Sequence, residues 1–108
     1  MYLMVYVTAA DKDEARRIAE TLVAERLAAC VNIIGQIESV YHWEGAVRSS
    51  GEVALVAKTT EACFDALAAR VRELHSYELP CVVALPLERG EAAFLGWIQE
   101  NVRTSKLR

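Results

Sequence analysis

The chain has 108 residues, enough for one hydrophobic core and too few for two; 54% of them are hydrophobic, 25% are charged and the formal net charge is −3. Acids and bases alternate and only Arg103, Lys106 and Arg108 form a locally basic end, which excludes a nucleic-acid footprint. No run approaches the roughly 20 apolar residues of a membrane span, and the first residues lack the basic-then-apolar layout of a secretory signal, so a soluble cytoplasmic protein is expected.

The run YLMVYVT from Tyr2 to Thr8 is β-branched and aromatic and reads as a buried strand. Asp11 offers an N-cap, with Glu14 three residues on completing an approximate capping box and Asp13 adding negative charge to the first turn. Ala15, Ile18, Ala19, Leu22, Val23 and Leu27 then recur at helical spacing. From Cys30 to Trp43 strand character returns, with Val31 and Ile33 before Gly35 and Ile37, Tyr41 and Trp43 after it. The glycine within this apolar run predicts a bulge or bend at Gly35. Glu44-Gly45 signals a hairpin turn, and the chain runs back from Val47 to Lys58, with a second bulge expected at Ser49-Ser50-Gly51. Thr60 is placed to cap a second helix that buries Phe64, Leu67, Ala68, Val71 and Leu74 and ends near His75, before Pro80. CVVALP, from Cys81 to Pro86, is a further strand, and Ala93, Phe94, Trp97, Ile98 and Val102 form a short terminal helix after Gly90.

The order βαββαβ plus one helix predicts an α/β (α+β) fold of ferredoxin-like topology, with residues 1–108 as one domain. The hydrophobic share exceeds the roughly 45–50% usual for soluble domains, and a chain this short has too little interior to hide the surplus. The long hairpin likewise projects Tyr41 and Trp43 past the subunit's own core. Both features predict a closed homo-oligomer, with Tyr41, Trp43 and Trp97 as contacts.

The three cysteines, Cys30, Cys63 and Cys81, are widely spaced and never in a Cys-x-x-Cys pair, so reduced thiols are expected rather than disulfides or a structural zinc site. No phosphate loop, paired-His helix motif or Gly-x-Ser-x-Gly elbow is present; Cys30 and His75 could in principle form a thiol–imidazole pair, but Cys30 reads as a small buried hydrophobe and catalysis is not expected. His75, Tyr77, Glu78 and Cys81 are the densest group of potential ligands. Imidazole and thiolate together suit copper or zinc. The alternative reading makes His75 a helix cap, Tyr77 a packing residue and Cys81 the start of a buried strand. Lys58, on an apolar strand, marks an ion pair or a cleft lining.

Six segments in order resemble the CutA divalent-cation tolerance proteins: ERLAACVNI at Glu25 to Ile33, SVYHWEG at Ser39 to Gly45, VAKTT at Val56 to Thr60, LHSYELP at Leu74 to Pro80, ALPLERG at Ala84 to Gly90 and FLGWI at Phe94 to Ile98. The resemblance implies a cytoplasmic homotrimer, similar in fold to the PII signal-transduction proteins, in which each hairpin packs on its neighbour. It also implies a non-enzymatic part in tolerance of copper and other divalent ions. The chain departs from the family's His-Pro-Tyr-Glu-x-Pro-Glu at Ser76 and Cys81, and proposed copper ligands of some members fall here at Val7 and Leu74. On this reading no cofactor is required, a Cu or Zn ion would sit at His75 and Cys81, and Lys58, Tyr77 and Glu78 line an intersubunit cleft. The alternative is a PII-like sensor that binds a small anionic ligand through Lys58 and backbone amides.

Overall fold

Alternation with a period of two sends successive strand residues to opposite faces, and in the computed structural model, which describes residues 1–104, this decides what the helices cover. Lys106 and Arg108 of the basic end lie outside the described residues. β1 (Tyr2–Ala9), α1 (Lys12–Ala24), β2 (Cys30–Trp43), β3 (Ala46–Thr60), α2 (Phe64–Leu74), β4 (Val82–Pro86) and α3 (Ala92–Asn101) follow in order. The strands form one antiparallel sheet in the order β2-β3-β1-β4, which is the ferredoxin-like arrangement. Leu3, Val5 and Val7 of β1 and Leu55 of β3 pack under Ile18 and Leu22 of α1 and Leu67 and Val71 of α2. Each of these fully buried aliphatic side chains contributes roughly 1.5–3 kcal/mol. A second cluster joins Ala29, Cys63, Ile98 and Val102 under α3.

The opposite face of the sheet carries Met4, Tyr6, Val56, Val83 and Leu85, of which Tyr6, Val83 and Leu85 are exposed. The bulge expected at Gly35 is present: Ile33 pairs with Leu55 and Gly35 with Ala54, leaving Ile34 extra, and Gly35 has φ +111°. One extra residue inverts the alternation. Val31 and Ile33 therefore face the helices, while Ile37, Tyr41 and Trp43 turn to the uncovered face. The hairpin closes over Glu44 and Gly45, both with positive φ, between paired Trp43 and Ala46; this is the tight turn whose twist matches that of the strands.

Three local expectations are corrected. Ser49, Ser50 and Gly51 pair in regular register with Val40, Ser39 and Glu38, so no second bulge occurs there; a polar, glycine-containing stretch is tolerated in the exposed half of a hairpin. Thr60 makes no side-chain cap, because a single 3₁₀ turn (Glu61–Cys63) intervenes before α2. α1 stops at Ala24, and Arg26 adopts a left-handed φ of 60°, which turns Leu27 into the core within the connection to β2. Asp11 caps α1 as expected, its carboxylate accepting from the Glu14 amide at 2.8 Å. Among the described residues no helix is long and apolar enough to cross a membrane.

Candidate functional site

Beside the long hairpin, the segment from His75 to Cys81 crosses the end of the sheet and is fixed there by two buried polar side chains. Glu14, 4% exposed, accepts at Oε1 from the Ala10 amide and at Oε2 from the Ser76 amide, both at 2.8 Å. One carboxylate thus ties the β1–α1 turn to the segment after α2. Burial works against its ionisation, but the amide of Ala10 and the side chain and amide of Ser76 hold its carboxyl below the ordinary range. The His75 side chain is wholly buried. Its Nε2–H donates to the Thr8 carbonyl at 2.6 Å, and its Nδ1 accepts from the Tyr77 amide at 3.1 Å. A carbonyl can only accept and an amide N–H can only donate, so the ring is neutral with its proton on Nε2. The 3.8 Å approach of Nδ1 to Glu14 is therefore a contact and not an ion pair.

These bonds set Tyr77 over one wall of a cleft of about 600 Å³. Tyr6 and Thr8 of β1, Ser39, Tyr41 and Trp43 of β2 and Glu52 of β3 form the remaining walls with Glu78, Leu79 and Cys81; His42 also reaches the rim. Glu52 is 9% exposed, and its Oε1 accepts from the Ser39 hydroxyl at 2.6 Å. Burial first, and then the Glu52 carboxylate, push the Tyr77 phenol up to about 12. The same two causes, in the same order, raise the Cys81 thiol. Both groups are neutral at pH 7, and Cys81 presents a thiol rather than a thiolate.

Tyr77, Glu78 and Cys81 are thus gathered in the cleft, whereas His75 lies behind it with both ring nitrogens used. His75 positions Tyr77 and Thr8, offering no free donor to an ion or to Cys30. Lys58 does not line the cleft: it stands on the uncovered sheet face opposite Met4 and Cys30 and donates to Asn32 Oδ1. Trp43 and Trp97, read as contacts, are 38% and 40% exposed, Trp97 stacking on Phe94 at 5.5 Å. Sequence reasoning passed over Glu14, Ser39 and Glu52. The available signal for Glu52 was a carboxylate heading the apolar run EVALVA, and for Glu14 its place in the capping box.

Topology and cleft define the class of protein: a ferredoxin-like α+β domain with an open, acid-lined cleft between its long hairpin and the segment after α2. Residues 3–101 match the family described as CutA1 divalent ion tolerance protein, and the chain belongs to that family. It is 44% identical over 103 residues to the rice protein "Protein CutA 1, chloroplastic", covering 95% of this chain and 58% of the relative; the chain thus spans little more than half of that relative's length. Among solved structures, the divalent cation tolerance protein (Cut A1) from Thermus thermophilus superposes with a TM-score of 0.94 at 44% identity, covering 95% of this chain and 100% of that one. The structure described as the periplasmic divalent cation tolerance protein CutA from Archaeoglobus fulgidus gives 0.93 at 43% identity, covering 95% and 100%.

Proposed function

We propose that this chain acts in divalent-ion tolerance, copper included, as a non-catalytic homotrimer in the cytoplasm, and that the cleft beside the hairpin is its cation-facing site. The sign of the cleft's charge carries the reading: Glu52 and Glu78 line it with the Cys81 thiol, and among the described residues no lysine or arginine does. Carboxylate and sulfur donors suit copper and zinc. Among the described residues no three His, Cys, Asp or Glu side chains stand close enough to share an ion, so a bound ion would take water or a partner subunit's donors as well. For the anion-sensor alternative, Lys58 stands on the uncovered sheet face bonded to Asn32 and outside this cleft, which favours the cation reading of the cleft.

Assembly is supported by the exposed apolar side chains of Val83 and Leu85, and by β2 and β4, which end the sheet as unpaired edges. As to compartment, the rice relative is named chloroplastic and the Archaeoglobus protein periplasmic, so the cytoplasm is proposed for this chain alone. Two measurements test the reading. Light scattering should give three times the 12.0 kDa chain mass; a monodisperse monomer would end the trimer proposal. Zn(II) or Cu(II) should raise the thermal midpoint of the parent protein and do so less for Cys81→Ser. Absence of any shift with either ion would end the metal proposal.

A further inference from the structure

The cleft is far larger than a bare ion needs and lies within the range of small-molecule sites, roughly 300–1,000 Å³. Four of its walls are aromatic, Tyr6, Tyr41, Trp43 and Tyr77, and among the described residues the carboxylates lining it are Glu52 and Glu78, with no lysine or arginine beside them. The face of an aromatic ring is the negative pole of its quadrupole, so rings and carboxylates here attract the same sign of charge.

Several contacts keep this lining in place. The Tyr41 hydroxyl is hydrogen-bonded to the Ser50 hydroxyl at 3.2 Å, which anchors the ring to β3. Arg48, the cation nearest in sequence to the hairpin tip, is folded back on the turn: its Nε–H donates to the Trp43 carbonyl at 3.0 Å and its Nη2 lies 3.9 Å from Glu44. Its charge is spent on the turn and does not neutralise the cleft. Glu52 accepts the Ser39 hydroxyl at Oε1, and the Tyr77 phenol lies against the same carboxylate, so both side chains are held at the cleft wall. Tyr77 remains a neutral phenol and offers its ring without adding charge.

We propose that the cleft binds a small organic cation, an alkylammonium or quaternary ammonium group seated on Tyr41, Trp43 and Tyr77 with Glu52 and Glu78 as its counter-ions. This inference rests on the reading of the cleft as cation-facing and adds the chemical class of an organic occupant. A protonated amine would donate to the Glu52 or Glu78 carboxylate, and a quaternary ammonium would rely on the rings and on charge alone.

The test is calorimetric titration of the assembled full chain with benzyltrimethylammonium, benzylammonium and the neutral benzyl alcohol, in parallel with zinc chloride. Both cations should bind at least about tenfold more tightly than the alcohol, a difference of about 1.4 kcal/mol. Glu52→Gln and Glu78→Gln should each weaken the cations several-fold and leave the alcohol unchanged. Added salt should weaken the cations as well. Glu78 is exposed, so its variant cannot be dismissed as misfolded. Equal binding of alcohol and cations, cation binding indifferent to both variants, or no binding of any organic probe would overturn the proposal. Binding of zinc without either ammonium would overturn it while sparing the metal reading, and binding of the ammonium ions without zinc would do the reverse.

Discussion

Replacing Glu14 by glutamine removes one charge and leaves the shape of the side chain intact, which makes it a sharp probe of how the site is held. The carboxylate accepts two backbone amides, from Ala10 and Ser76, at 2.8 Å each and is 4% exposed. Gln can keep one acceptor, but its NH₂ must then face the other amide, donor against donor. A hydrogen bond to a charged group is worth about 1.5–3 kcal/mol, and an orphaned buried donor costs about 1–3. A loss of about 2–3 kcal/mol is therefore expected, lowering the midpoint by roughly 10 °C when compared at equal protomer concentration. The pH dependence has a definite sign. The folded carboxyl lies below its ordinary range, so its contribution is present above the unfolded carboxylate pKa of about 4.3 and is lost as pH falls through the folded value. Parent and Glu14→Gln should thus differ at neutral pH and converge in acid. The assay is thermal unfolding from neutral pH into acid, with amide exchange at Ser76 as the local readout. A midpoint within about 2 °C of the parent at neutral pH, with unchanged Ser76 exchange, would refute the role given to Glu14.

Leu67→Ala, at a fully buried position of α2, should cost about 2–5 kcal/mol in urea unfolding, against about 0.5 or less for Arg72→Ala on the exposed side of the same helix; equal effects would contradict the packing described. Cys81 should alkylate with iodoacetamide more slowly than a free cysteine peptide, and its rate should climb only above the usual thiol range, because burial and Glu52 both oppose the thiolate. Peptide mass spectrometry follows the reaction, and a rate at pH 7 matching the free peptide would show that the cleft does not enclose it.

Local rules operate over a few residues, and the features they govern were legible in the chain itself. Asp11 caps α1 because an oxygen three residues from an amide suffices, and Glu44-Gly45 turns because the turn chemistry is contained in two positions. The Gly35 bulge was signalled by a glycine inside an apolar strand run, and the single inserted residue swaps the faces of everything after it. The family resemblance rode on the same segments. Other features belonged to the fold alone. His75 reads as a ligand in sequence because nothing there reveals that the Thr8 carbonyl, 67 positions away, takes one nitrogen while the Tyr77 amide takes the other. Lys58 reads as a cleft residue until the strand register sets it opposite Met4 and Cys30. Glu52 meets Ser39 and Tyr77 only when β2, β3 and the segment after α2 converge. Hydrophobic periodicity tells which side of a strand is buried; which polar groups from distant segments share the other side depends on strand order and register, and those are decided by tertiary packing.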